Sequence, residues 1–144
     1  MSWLHHDHQQ FESAIYCCRT ACEAADGDGL RNQFDDFVTA YRLHVRAEEE
    51  LLFPHYEQRE GASPEPTESL RADHAQIFRL VGQITEQMER DEWANLCDEL
   101  SRLYRVLARH HETEEKVFLP MASELLAGDK DIILTALADK ARTG

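Results

Sequence analysis

The sequence has few cations, no long apolar run and no paired cysteine motif, and each lack closes a class of function. Fifteen Lys and Arg stand against 28 Asp and Glu, a formal net charge of −13 with His neutral. Nucleic acid and anionic membrane surfaces are bound by clustered cations, so this balance argues against both as partners. No stretch approaches the roughly 20 consecutive apolar residues that a bilayer span requires. The N-terminus, MSWLHHDHQQF, lacks a basic head followed by an apolar segment. Export is therefore not signalled, and a cytoplasmic location is the expectation. The cysteines are Cys17, Cys18, Cys22 and Cys97, none of them in a CxxC pair, which excludes a zinc knuckle. In reducing surroundings they are expected as free thiols on helix faces.

What is present is enough for one domain spanning 1–144. A chain of 144 residues with 42% apolar residues can bury a real core. Eight histidines are many for this length, and they require an explanation.

A repeat supplies the first part of it. The stretch HVRAEEELLFP at 44–54 returns as HHETEEKVFLP at 110–120, an offset of 66 residues. The same offset links Asp7–His8 to Asp73–His74, Phe34 to Leu100, Phe37 to Leu103 and Tyr41 to Leu107, without a gap. Self-similarity at one period means two copies of one structural unit, here about 3–60 and 68–126. Within each unit apolar residues recur three and four apart, as at Phe34, Phe37 and Tyr41, which places them on one helical stripe. DGDG at 26–29 interrupts the first unit, and the polar stretch around Asp91 interrupts the second at the matching place. EGASPEP at 60–66 separates the units. Short connections favour antiparallel neighbours, so the expected fold is all-α, an up-down-up-down four-helix bundle. A short C-terminal helix is expected at about 129–141, with Ile132, Leu134 and Leu137 available to dock.

Several polar residues fall on the apolar stripes. His8 and His74 lie one turn before Phe11 and Ile77, and His44 and His110 one turn after Tyr41 and Leu107. Glu48 and Glu114 are one turn further along the same faces, about 6 Å at a rise of 1.5 Å per residue. Up-down topology carries all four helices to one end of the bundle, so four imidazoles and two carboxylates converge on one buried layer. Such a layer is costly unless a cation occupies it. Six donors in two-fold repeat suggest two metal ions, each taking two imidazoles, with the carboxylates bridging. Imidazole with carboxylate suits iron, manganese or zinc.

The remaining candidates divide less cleanly. Glu49, Glu50 and Glu115 lie off the stripe and are expected to face solvent or to support a ligand from behind. His5, His6, His55 and His111 have no histidine at the offset position and read as surface residues, with His5 and His111 as reserve ligands. Asp7 and Asp73 do repeat; orienting a ligand and capping a helix both remain open for them. Phe11, Ile15, Phe37, Phe78 and Val81 would line the layer with apolar surface. Tyr41, one turn from His44, is in reach of a small molecule there, although a core tyrosine with a satisfied hydroxyl explains it as well. Cys22 lies 14 residues after His8 and Cys97 lies 13 before His110. Both are thus roughly 20 Å from the layer along their helices, at a similar height where a redox pair could form.

The combination of DH at 7–8, HVRAEEELLFP, DH at 73–74 and HETEEKVFLP resembles the hemerythrin-like HHE cation-binding family, over nearly the whole chain to residue 120. The resemblance implies a non-haem di-iron centre, two iron ions bridged by carboxylates. His8, His44, His74 and His110 would be terminal ligands, and Glu48 and Glu114 the bridges. The oxygen-carrying hemerythrins have HxxxH on the third helix and HxxxxD on the fourth. Here the third-helix position is Phe78, and the fourth-helix acid is Glu114, followed by Glu115, so one terminal histidine is missing. The pattern is closer to the four-His, two-Glu subset, which includes bacterial proteins tied to iron-centre repair and nitric-oxide stress. The iron-sensing domain of an F-box protein is another relative. The resemblance implies a protein that binds or senses O₂, NO or peroxide, or takes part in iron handling. A redox enzyme and a structural or zinc-buffering bundle are the alternatives.

Overall fold

The computed structural model describes residues 2–125, together with 135, 136 and 139. The helix expected at about 129–141 falls almost wholly outside them. Four helical rods run up and down: α1 (Ser2–Glu23), α2 (Gly27–Ala47) continuing into α3 (Phe53–Glu57), α4 (Glu65–Glu89), and α5 (Leu96–Thr113) continuing into α6 (Leu119–Leu125). α1 packs against α2 and α5, α4 packs against α5, and a lighter contact between α2 and α4 completes the ring. Among the described residues no helix is long and apolar enough to cross a membrane.

The two units turn in the same way. α1 ends with Ala25 at φ 57° and α4 with Asp91 at φ 53°, one offset apart. After each left-handed residue the next amide reaches back to a carbonyl five residues earlier, Asp26 N to Ala21 O at 2.9 Å and Glu92 N to Gln87 O at 2.8 Å. This closing pattern satisfies carbonyls that a helix end otherwise leaves open. Asp26 then starts α2 by accepting the Gly29 amide at 3.0 Å. Arg31 ties the two turns together, donating to Asp91 at 2.7 Å and to the Met88 carbonyl at 3.1 Å.

The prolines of the repeated phrases do not stop their helices. Pro54 opens α3 and Pro120 lies in α6, each just after a π-helical turn, Glu48–Leu52 in one rod and Glu114–Phe118 in the other. The Phe53 amide bonds to Glu48 O and the Leu119 amide to Glu114 O, five residues back. Proline offers no amide and crowds the carbonyl four residues earlier. The wider π turn accommodates that defect, and such turns concentrate at functional sites.

The core lies in two blocks. The larger, around Phe11, Ile15, Phe34, Phe37, Leu100 and Leu103, fills the bundle towards the α1–α2 and α4–α5 turns. The smaller, with Leu4, Phe53, Tyr56, Leu70 and Phe118, closes the opposite end. Full burial of side chains of this kind contributes about 1.5–3 kcal/mol each. Between the blocks lies a polar layer.

Candidate metal centre

The layer contains His8, His44, Glu48, His74, His110 and Glu114, all buried, with both glutamates fully so. Each helical rod delivers its part because the histidines occupy stripe positions at one height. Their donor atoms form two groups, His8, His44, Glu48 and Glu114 in one and Glu48, His74, His110 and Glu114 in the other. Within each group the atoms lie within 4.8 Å of one another. Both carboxylates belong to both groups. His8 Nε2 lies 2.9 Å from Glu114 Oε1, and His74 Nε2 and His44 Nε2 lie 3.2 and 3.4 Å from Glu48 Oε1. These approaches lack hydrogen-bond direction. His8 Nε2, His74 Nε2 and all four oxygens of Glu48 and Glu114 are buried with no hydrogen-bond partner.

The outward nitrogens are all held. His44 Nδ1 faces Asp7 Oδ2 at 3.3 Å and His110 Nδ1 faces Asp73 Oδ2 at 3.0 Å. His74 Nδ1 faces Glu49 Oε2 at 2.7 Å and His8 Nδ1 faces Glu115 Oε2 at 2.8 Å. A carboxylate only accepts, so each Nδ1 carries the proton and each Nε2 turns into the layer. The 66-residue offset maps this bracing onto itself: the aspartate braces the histidine of its own unit, and the second glutamate braces the histidine of the other. Asp7 and Asp73 sit well inside α1 and α4, so of their two readings it is orientation, not capping, that the geometry realises. Glu50 pairs with Arg46 at the surface at 3.1 Å.

Electrostatics shows what the layer lacks. Burial favours the neutral form of Glu48, but the His44 charge, with the close approach of Glu114, His44 and His74, holds it well below the usual carboxylate range. Glu114 goes the other way, raised to about 8 by burial, then by the charge and close approach of Glu48. Two facing carboxylates thus share one proton. Burial opposes charge on His44 and His74 as well, yet Glu48 leads the groups that raise them to about 10 and about 9. Protons fill in for cations. Taking each buried ion out of water costs about several kcal/mol, which imperfectly directed contacts do not offset.

Several expectations require correction. His111 is not a surface residue: it is 1% exposed, and its ring stacks on His8 at 3.9 Å and an interplanar angle of 3°. Its Nδ1 donates to Glu12 Oε2 at 2.8 Å, and its Nε2 has no partner. Burial, then the neighbouring His8 and His110 charges, pushes it far below the ordinary histidine value. The helical pattern contained this signal, because His111 is one turn beyond Leu107 and offset from the buried Val45. Tyr41 is a core tyrosine, but its hydroxyl is unsatisfied. His5 is exposed and reaches Glu115 rather than the layer. His6 is exposed, while His55 is partly buried and donates to the Leu51 carbonyl at 2.8 Å. Phe11, Ile15, Phe37 and Val81 are buried below the layer as expected, and Phe78 is only partly so.

A layer of imidazoles and carboxylates without thiols, closed above and below by apolar blocks, fits a hard or borderline divalent metal. The orphaned donor atoms are the direct sign of fit, since buried polar atoms otherwise find partners. The model of the hemerythrin HHE cation binding domain matches residues 1–122. No curated protein and no solved structure matches the chain.

Proposed function

The chain belongs to the hemerythrin HHE cation-binding family, and on that premise we propose that it holds two non-haem iron ions and takes up O₂, NO or a peroxide. The observation that carries this reading is the pair of donor groups sharing Glu48 and Glu114. His8 and His44 would hold one ion through Nε2 and His74 and His110 the other, with the two glutamates bridging. Zinc and manganese suit the same donors, so the choice of iron rests on the family.

The chain's own residues define the rest of the mechanism. Asp7, Asp73, Glu49 and Glu115 hold each imidazole by its Nδ1–H, fixing ring direction and raising the basicity of Nε2. The apolar blocks around Phe37 and Phe118 restrict water. When bound, a ferrous pair supplies electrons and open coordination positions to a small ligand. Tyr41 Oη and His111 Nε2 are two buried polar atoms with no partner on the His8–His44 side. The hydroxyl donates and the imidazole nitrogen accepts, an arrangement suited to a ligand that carries one proton, such as a peroxide. That observation also favours a second reading, a peroxide-consuming redox enzyme.

Metal content together with optical spectra of the anaerobic, oxygenated and peroxide-treated protein tests the proposal. Two irons per chain with charge-transfer bands that vanish on deoxygenation support reversible binding, and catalytic loss of peroxide supports the enzyme. Less than one transition metal per chain after iron-replete expression overturns both. Glu48→Ala and Glu114→Ala should each lower the content of both ions, because each carboxylate serves both groups. Unchanged stoichiometry in either variant would remove that residue from the site.

A further inference from the structure

At the turn end of the bundle, away from the polar layer, two thiols from different helices meet. Cys22 lies in the last turn of α1 and Cys97 in the first turn of α5. Their Sγ atoms are 2.7 Å apart, and both are free cysteines. Equal height was foreseeable from the spacing to His8 and His110; the facing direction was not, and the structure supplies it. Neither thiol is deeply buried, and both line a cavity of about 300 Å³ with Ala25, Asp26, Gly27 and Trp93. A molecule of a few atoms can reach the sulfurs through it. Sulfurs already closer than an ordinary non-bonded contact need only about a further 0.7 Å to reach bonding distance.

We propose that Cys22 and Cys97 form a dithiol site that a hydroperoxide converts into an inter-helix disulfide. The Cys97 thiol gives up its proton and attacks one peroxide oxygen as the thiolate, the O–O bond breaks, and the leaving alkoxide or hydroxide takes up the released proton. The resulting sulfenic acid is attacked by Cys22 Sγ; the S–O bond breaks and hydroxide leaves with the Cys22 proton as water. Two thiols lose two electrons and the peroxide gains them, giving one disulfide, one alcohol or water, and one further water. Burial first, then the hydrogen bond and charge of Cys97, pushes the Cys22 thiol up to about 12. Cys22 is therefore suited to the second step, attack on the sulfenic acid, at a slower rate than an activated thiol. Cys17 is exposed, and Cys18 is buried in the larger core block, against which Cys22 also packs, with its thiol raised to about 12.

The link joins α1, which carries His8, to α5, which carries His110, and closes a span of 75 residues. A cross-link over so long a loop restricts the unfolded chain strongly and should raise Tm by roughly 10 °C. The inference needs no metal, so its test is separable from the proposed function. Full-length protein, as purified and after chelation, is treated with hydrogen peroxide and analysed by thiol titration and non-reducing peptide mapping. The free thiols should fall from the four in the sequence by two, with a Cys22–Cys97 linked peptide that dithiothreitol removes. Cys17→Ser/Cys18→Ser should form the same link, and Cys22→Ser should abolish it. Links through Cys17 or Cys18, oxidation to sulfinic acid without a link, or an unchanged thiol count in both preparations would overturn the proposal. Mapping the unaltered chain keeps the test decisive even if a cysteine variant folds poorly.

Discussion

The two halves of the metal layer are built on one plan and furnished differently. His8 and His44 meet edge to face at 5.2 Å between ring centres, and His74 and His110 meet likewise at 4.7 Å. Each Nδ1 brace on the four layer histidines has its counterpart in the other half. Beyond the braces the correspondence fails. Where the first half has His111 held by Glu12, the offset places Val45 and Phe78 in the second; where it has Tyr41, the second has Leu107. Duplication therefore accounts for what holds cations, and divergence for what surrounds them. One half gained polar atoms without protein partners, while the other was filled with apolar side chains. On the proposed reading, that division separates retaining metal, which both halves share, from receiving a ligand, which falls to one.

Proton competition should produce the largest effect and should not distinguish the halves. His44, His74 and Glu114, raised to about 10, 9 and 8, all carry protons at pH 7 in the metal-free protein. Metal must displace them, so apparent affinity should climb by about tenfold per pH unit for each proton released. Chelator competition at pH 7 and 8 measures the slope, and a flat profile would contradict the shared-proton description. The sign for folding is opposite. Each of the three groups binds protons more tightly folded than unfolded, so its stabilisation is complete below its unfolded value and disappears as pH rises through its folded one. Thermal melts of the metal-free chain should accordingly move down between pH 7 and 10.

The cross-bracing can be broken one half at a time. Glu115→Gln should weaken the His8–His44 position, and Glu49→Gln the His74–His110 position, each by roughly 10–100-fold in metal affinity. Glu115→Gln should add little to His8→Ala but its full effect to His74→Ala, since only the first pair shares a site. Equal additivity in both backgrounds would show that the glutamates do not cross between units. A smaller loss is expected from His111→Val, which copies the second half into the first. Metal stoichiometry should remain at the wild-type value while binding of hydrogen peroxide, which can donate a proton to His111 Nε2, weakens about tenfold, the loss of one hydrogen bond. A drop in metal content instead would make His111 a ligand.

The turns provide the mildest test of the duplication. Ala25 and Asp91 occupy the same left-handed position, which costs alanine about 1 kcal/mol relative to glycine. Ala25→Gly should raise Tm by about 2–4 °C. Asp91→Gly should change it less, because aspartate tolerates this conformation and here also anchors Arg31.

The repeat made the bundle, the four histidines and the first glutamate of each phrase legible, because helical period and a constant offset are properties of the linear chain. They also contained His111 at a stripe position, but the absence of a histidine at Val45 concealed it. Glu49 and Glu115 were harder to place. On an ideal helix their direction is about 100° from that of Glu48 and Glu114, and only packing shows that this direction faces a histidine of the other unit. At Pro54 and Pro120, where a proline ordinarily ends a helix, a π turn carries each rod onward.

Sequence alone determined which residues lie at one height, since rise per residue is a fixed quantity once helices and topology are known. Tertiary structure decided which of them face one another: the second glutamates crossing between units, His111 stacked on His8, and the Cys22 and Cys97 sulfurs in contact. Facing depends on how each helix is rotated about its axis, and that rotation is set by all the side chains packed against it together.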